Sequence, residues 1–217
     1  MISRFTLLAL PLLGVFCFAC GSILVGNGQP GTETRTVPPF TLVNASDGVQ
    51  VRLTLDPAQS GDVSLEVSAE TNVLSSVVTE VANNTLGVGV GGTVQTNLPI
   101  EVTGTVNFIS NAQAYGGSLL ALQGVDSDGL TLGSTEGASL SAEGTVNNLV
   151  VTAGDGGLLD GAELTATNAE VGISNGAMVT LCVTGQVTGA VSNGGSLTVL
   201  CGGDTSGVNT SSGGTVN

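Results

Sequence analysis

The chain has 217 residues, 17 acidic side chains, three arginines and no lysine or histidine, which gives a formal charge of −14 at pH 7. Nucleic acids and anionic lipids are bound through clustered cations, so this charge balance argues against both as partners. Without histidine or lysine, Ser-His, Cys-His and Ser-Lys nucleophile pairs are excluded. The 34 glycines and the 3% aromatic content favour short strands joined by glycine turns over helices.

Residues 1–19 have the pattern of a signal peptide. Arg4 supplies a positive start, and an apolar run from residue 5 to 19 is shorter than the ~20 residues needed to span a bilayer. Ala19 directly before Cys20 is similar to a bacterial lipobox, in which the cysteine receives a lipid and becomes the new N-terminus. Cys17 stands where such boxes usually carry leucine, so ordinary signal-peptidase cleavage remains an alternative to lipidation of Cys20.

Residues 20–36 are rich in Gly, Thr and Ser, and they are predicted to contain the lipid-anchor cysteine followed by a flexible tether. Residues 37–115 show apolar and polar residues alternating at a period of two, which predicts the strands of an N-terminal β-rich part. The runs 49–55 and 63–67 are separated by turn residues, and we expect these two strands to form a hairpin.

The residue after the predicted lipid-anchor Cys20 is Gly21, not the aspartate that retains lipoproteins in the inner membrane. We therefore expect the outer membrane as the destination of the protein.

From residue 116 to 217 the chain follows a repeat of about 19 residues, a period typical of solenoid folds. Five glycines recur once in each repeat, and each is preceded by a residue that tolerates a tight turn: Gly137, Gly156, Gly176, Gly194 and Gly213. An aliphatic residue follows each glycine three positions later: Leu140, Leu159, Val179, Leu197 and Val216. A second column lies five positions before the glycines: Leu132, Val151, Val171, Gly189 and Val208. Such columns predict an all-β chain that forms a parallel, right-handed β-helix, or β-solenoid, after the short hairpin-rich N-terminal part.

The chain resembles the bacterial family of auto-transporter adhesin head domains with the GIN motif. The resemblance covers roughly residues 32–217 and rests on the runs 36–43 (TVPPFTLV), 48–53 (GVQVRL) and 67–74 (VSAETNVL), together with the repeated serine and glycine turns. Family turns commonly read Ser-Gly-Ser-Gly, whereas here one reads Ser174-Asn175-Gly176. The resemblance implies an exported, lipid-anchored or secreted β-helical protein of the cell envelope, without an established activity.

Glu136 and Asp155 stand one repeat apart in the turn column, and three roles are open for them. Paired carboxylates on neighbouring rungs suit a polysaccharide-cleaving enzyme, with Asp126, Asp128 and Asp160 as weaker candidates. Stacked carboxylates and carbonyls also suit weak calcium or ligand contacts. In the third role the two acids are turn residues, because aspartate accepts turn conformations and bonds its own backbone. The repeat lacks the aromatic and basic residues of sugar-cleaving clefts, so we expect no enzyme.

Cys182 and Cys201 lie one repeat apart and should be near neighbours. In an oxidising compartment they are candidates for a disulfide between neighbouring rungs. Two buried free thiols that act as small hydrophobes are the alternative. Two sulfurs without histidine do not complete a zinc site, so we expect no metal and no cofactor.

These features together predict a non-enzymatic exported module that binds polysaccharide or an envelope protein through Thr, Ser and Asn side chains stacked on its outer faces. It would touch the membrane only through the lipid on Cys20. Two alternatives are a carboxylate-dependent enzyme and a structural envelope protein whose last rung stacks end to end with another copy.

Overall fold

The computed structural model describes residues 23–217, and the predicted signal peptide and Cys20 lie outside the described residues. The eighteen strands are β1 (Leu24–Val25), β2 (Pro30–Val37), β3 (Leu42–Ala45), β4 (Gln50–Leu55), β5 (Val63–Glu70), β6 (Val77–Ala82), β7 (Thr85–Val90), β8 (Val94–Gln95), β9 (Glu101–Val106), β10 (Asn111–Ala114), β11 (Leu119–Ser134), β12 (Ser139–Ala153), β13 (Leu158–Ile173), β14 (Met178–Val183), β15 (Gln186–Val191), β16 (Ser196–Leu200), β17 (Asp204–Thr210) and β18 (Thr215–Val216). A single 3-10 turn covers Leu74–Ser76. Between residues 23 and 217 there is no helix long and apolar enough to cross a membrane.

The strands coil into a parallel β-solenoid with rungs of about 20 residues. Each rung carries one strand before a tight turn and one strand after it. The long strands β11, β12 and β13 also contain a short middle segment in register with its neighbours, as in the column Val125, Gly144 and Leu164. The rungs therefore have three faces: one after the turn, one before the turn, and this third face.

The predicted aliphatic columns line the interior. Leu140 pairs with Leu159, and the same column continues through Val179, Leu197 and Val216. On the face before the turn, Leu132 pairs with Val151 and then with Val171. Both columns are confirmed, and Leu132, Leu140 and Leu159 are completely buried. Each fully buried aliphatic side chain contributes about 2 kcal/mol. These side chains are buried by the neighbouring rungs, so a single rung is not stable alone.

The N-terminal strands do not follow chain order in the stack. β3 lies between β7 and β10, and β4 lies between β9 and β11, with all four pairings parallel. The rung formed by β3 and β4 is thus inserted between a rung made of β7 and β9 and the first rung of the repeat. The stack continues from β3 and β4 into β10 and β11 without a break at residue 116.

The expected hairpin between the runs 49–55 and 63–67 is wrong. β9 lies between β4 and β5, parallel to the first and antiparallel to the second. The alternation predicts which residues of β4 face inward, but it does not predict which strand pairs with β4, because any strand with the same alternation can do so. In the structure that strand is β9, whose Val102 pairs with Val51 of β4. The neighbour in space is therefore not the next strand in the sequence.

The expected flexible tether over residues 20–36 is wrong for residues 23–36, the part of it that the structure describes. Residues 30–36 belong to β2, which pairs antiparallel with β5 along its whole length. Thr32, Thr34 and Thr36 alternate along this strand, and the β-branched threonine favours an extended chain although it is polar. Arg35 of β2 donates hydrogen bonds to the carbonyl oxygens of Leu74 (2.8 Å) and Val77 (2.6 Å). These bonds fix β2 to the segment that follows β5; residues 23–106, the part of the structure before the repeat, are called the cap below.

Candidate functional site

Seven two-residue turns stack in a single column along one edge of the solenoid. The two central residues of each turn have positive φ, as a type I′ turn requires. The central pairs are Asp47-Gly48, Gly116-Gly117, Glu136-Gly137, Asp155-Gly156, Asn175-Gly176, Asn193-Gly194 and Ser212-Gly213. The last five pairs are those predicted from the repeat, and the first two extend the column into the rungs nearest the N-terminus.

Backbone hydrogen bonds join each turn to the next. The N–H of Gly137 donates to the carbonyl oxygen of Asp155 (3.1 Å), and the N–H of Gly156 donates to that of Asn175 (3.0 Å). The same bond, at 3.0–3.1 Å, links every consecutive pair of turns from Gly48 to Ser212. The column is therefore a continuous hydrogen-bonded spine that sets the register of the rungs.

The structure places Glu136 and Asp155 in consecutive turns of this spine. Both are exposed. Asn175 donates from its side-chain amide to the Asp155 carboxylate (2.9 Å), and Asn193 donates in the same way to the side-chain oxygen of Asn175 (3.3 Å). Asp155 thus begins a ladder of side-chain hydrogen bonds, a role that matches the interpretation of these acids as turn residues. Within residues 23–217 no group of three or more His, Cys, Asp or Glu side chains is arranged to hold a metal ion.

The weaker candidates Asp126 and Asp128 lie on the third face, where they line a shallow groove of about 430 Å³. We call it the third-face groove; its polar lining is Asp126, Ser127, Asp128, Thr145, Asn147, Thr165 and Thr167. Asn147 donates from its amide to the Asp128 carboxylate (2.7 Å). Thr145 donates from its hydroxyl to the carboxylate of Asp126 at 3.4 Å. The groove is a ladder of carboxylate, hydroxyl and amide groups from three successive rungs.

Asp160, the remaining candidate, lies elsewhere, at the corner between the face after the turn and the third face. With Glu143 and Glu163 it lines a small pocket of about 110 Å³. Its carboxylate accepts a hydrogen bond from the backbone N–H of Ala162 (3.1 Å), which stabilises the bend of the chain at this corner. The structure therefore does not unite Asp160 with Asp126 and Asp128 in one site.

The threonines and the asparagine of the third-face groove were not singled out in the sequence. A signal was present, because Thr145 lies one repeat before Thr165, and Asn147 likewise lies one repeat before Thr167.

On the last rungs, the backbone N–H of Ser206 and its side chain lower the pKa of the exposed Asp204 from its usual value.

A disulfide joins Cys182 and Cys201, with their Cα atoms 5.1 Å apart. Cys182 is buried near the end of β14. Cys201 lies in the turn directly after β16 rather than in a strand, and it has a positive φ of 68°. The bond closes a loop across neighbouring rungs at the corner where the face after the turn ends.

The family model described as "Putative auto-transporter adhesin, head GIN domain" matches residues 39–203. The chain belongs to this family. No curated protein matches the sequence.

Solved structures share the fold of this GIN domain at low sequence identity. A putative adhesin from Bacteroides fragilis NCTC 9343 superposes with a TM-score of 0.66 at 16% identity, over 89% of this chain and 97% of the other. A putative adhesin from Parabacteroides merdae ATCC 43184 gives 0.58 at 14% identity, over 89% and 98%. A putative lipid binding protein from Parabacteroides distasonis ATCC 8503 gives 0.52 at 14% identity, over 90% and 99%. At these identities the likeness shows the fold alone.

The hydrogen-bond ladder predicts how stability depends on residue 155. Asp155→Asn should leave the free energy of unfolding nearly unchanged, because asparagine accepts the left-handed conformation and still offers an oxygen to Asn175. Asp155→Ala should lower it by about 1 to 2 kcal/mol, since alanine is strained there and the hydrogen bond is lost. Urea unfolding measures both. An equal loss in the two variants would show that the negative charge matters and would contradict the ladder.

The disulfide predicts a stability that depends on redox state. Reduction should lower the free energy of unfolding by about 3 kcal/mol, the value expected for closing a loop of this length in the unfolded chain. Urea unfolding with and without dithiothreitol measures the difference. The Cys182→Ser/Cys201→Ser variant is the control and should not respond to dithiothreitol. Two thiols that alkylate in the unfolded, unreduced chain would rule the bond out.

Proposed function

We propose that this GIN domain is a non-enzymatic, adhesin-like module that is exported to the bacterial envelope and binds a polysaccharide along its third-face groove. The family to which the chain belongs is described as an adhesin head domain, which supports binding over catalysis. The observation that carries the choice of ligand is the ladder of carboxylate, hydroxyl and amide groups on three successive rungs.

The chemistry of the groove suits a chain of sugar hydroxyls. Asp126 and Asp128 accept hydrogen bonds, the threonine hydroxyls donate and accept, and Asn147 does both through its amide. Rungs of a parallel sheet repeat about every 4.8 Å, so equivalent groups recur along the groove at a fixed spacing. A flexible polymer with many weak contacts can gain affinity from such a row without a deep pocket.

The acidic surface narrows the class of ligand. All 17 acidic residues lie within residues 23–217, and only Arg35 and Arg52 oppose them there. Arg35 is already bonded to backbone carbonyls of the cap. A neutral or cationic polysaccharide is therefore favoured over an anionic one, which the negative charge of the surface would repel.

Binding to a panel of purified neutral, cationic and anionic polysaccharides, measured by biolayer interferometry, tests this role. The variants Asn147→Ala and Thr165→Ala should each weaken binding by roughly three- to tenfold, because each removes a direct hydrogen bond to the ligand. Thr152→Ala is the matched control, since Thr152 is also exposed but lies on the face before the turn. Binding that is lost equally in all three variants, or only in the control, would contradict the groove as the site.

We further propose that the chain is anchored in the outer membrane by lipid on Cys20. The apolar run before this cysteine and the small residue at position 19 support it. The mass of the natively expressed protein should correspond to a chain that begins at Cys20 and carries diacylglycerol and acyl groups. Cys20→Ala should abolish that mass and release the protein from the membrane fraction. A soluble wild-type product without lipid would overturn the anchor while leaving the groove to be judged by its own binding data.

A further inference from the structure

The segment that follows Cys20 is fastened to the body of the protein almost at once. The N–H of Leu24 donates to the carbonyl oxygen of Thr93 (3.0 Å), and the N–H of Gly26 donates to that of Gln95 (2.8 Å). These bonds make β1 a parallel partner of β8. Residues 23–28, which we call the N-terminal collar, therefore lie on the cap instead of forming a free linker.

A buried carboxylate holds the other end of the collar. Glu70 is completely buried, and it accepts hydrogen bonds from the backbone N–H groups of Gly28 (2.6 Å) and Asn97 (3.2 Å). Gly26 packs so closely on this carboxylate that a Cβ atom there would overlap it. The hydrogen bond from Gly28 depends on the collar, because removal of the collar would leave the buried carboxyl oxygen that accepts from Gly28 without this partner.

The side chain of Asn72 adds a third fastening. Its amide donates to the carbonyl oxygen of Val25 (2.8 Å), and its oxygen accepts a hydrogen bond from the backbone N–H of Asn27 (3.1 Å). Two separate parts of the cap, residues 70–72 and the segment around residues 93–95, thus bind the collar. Their hydrogen bonds reach the backbone of every residue from Leu24 to Gly28.

Two large aliphatic side chains point outward from this fixed segment. Ile23 is 59% exposed and Val25 is 56% exposed, whereas Leu24 between them packs against the core. These fractions are among the highest of any large apolar side chain in the described residues, equalled or approached only by Met178 at 56%. Ile23 and Val25 together form an apolar edge on the outside of the collar.

The length of chain before the collar decides what can cover that edge. Only Gly21 and Ser22 lie between Cys20 and Ile23, so the two residues are three residue steps apart, and an extended chain spans at most about 3.6 Å per step. The Cα atom of Ile23 therefore lies within about 11 Å of the Cα atom of a lipid-bearing Cys20, a distance comparable to the interfacial region, which is about 5 to 8 Å thick on each side of a bilayer. Residues 20–28 carry no charged side chain, so nothing in this stretch opposes contact with the apolar boundary of a leaflet.

We propose that Ile23 and Val25 insert into the lipid leaflet that holds the acyl chains of Cys20, so that the cap of the solenoid rests directly on the membrane. This inference rests on the proposed lipid anchor and goes beyond it, because the protein itself becomes a second point of membrane contact. The partner is the lipid surface, recognised by apolar burial and not by charge. The solenoid then projects from the membrane from a fixed base.

Fluorescence of the lipoprotein in phosphatidylcholine vesicles tests the contact. Val25→Cys is labelled with an environment-sensitive NBD group, and Met178→Cys, which is equally exposed but lies in the repeat, is the matched control. Labelling without reductant spares the bonded pair Cys182 and Cys201. We expect blue-shifted emission at position 25, and quenching by shallow doxyl-labelled lipids several-fold stronger than at position 178.

The mass of each labelled sample separates the two proposals. A lipid-bearing sample that cosediments with vesicles but shows equal, weak quenching at positions 25 and 178 would overturn the membrane contact and leave the anchor intact. A sample without lipid on Cys20 would overturn the anchor and the contact that depends on it. Adding Ile23→Ser to the Val25→Cys protein should reduce the quenching at position 25 while the lipid and the cosedimentation remain.

Discussion

Every rung of this solenoid depends on hydrogen bonds and apolar contacts supplied by the rungs beside it. The spine of type I′ turns fixes how the rungs meet, because each turn donates one backbone hydrogen bond to the next. The interior columns follow from that register: once the turns are aligned, the aliphatic residue three positions later falls on its counterpart in the adjacent rung. Packing and hydrogen bonding therefore enforce the same alignment.

The spine also explains how the fold accepts a repeat whose length varies slightly from one rung to the next. The turns remain in register, and the differences are absorbed at the corner beside the third face. The pairing of β11 with β12 shifts between Leu122 and Val125, and that of β12 with β13 shifts between Ser141 and Gly144. Gly124 and Gly144 have positive φ at these shifts, which permits the extra bend. A further shift lies between Gln186 and Thr188, where β15 pairs with β17, and the ordered columns continue past these shifts.

The repeat was predictable because its information is local. The residue pair at each turn and the aliphatic residue three positions after its glycine lie within a few residues of each other. Every rung repeats this arrangement, so a single sequence shows the pattern several times. The cap has no such redundancy. Its strand order depends on pairings such as β4 with β9, and many alternating strands are equivalent candidates for each place.

Three further features of the cap and the groove could not be predicted from the sequence. The threonines of β2 contribute to a composition typical of a flexible tether, although their β-branched side chains favour a strand. Glu70 stands at the outward end of β5, where alternation predicts exposure, and it is buried only because the collar covers it. The polar residues of the third-face groove recur with the period of the repeat. The hydrogen bonds between them depend on the geometry of the chain at the corner, which the period alone does not predict.

The interleaved position of β3 and β4 has a consequence for the order in which the protein assembles during synthesis. A ribosome releases residues 42–55 before residues 85–106 and 111–122, which supply both neighbours of that rung. The β3–β4 rung therefore keeps one unpaired edge until residues 85–106 have been made, and the other until residues 111–122 have been made. The earliest rung of the chain is completed only by strands that follow it by about 50 to 70 residues, so the stack does not grow simply in chain order.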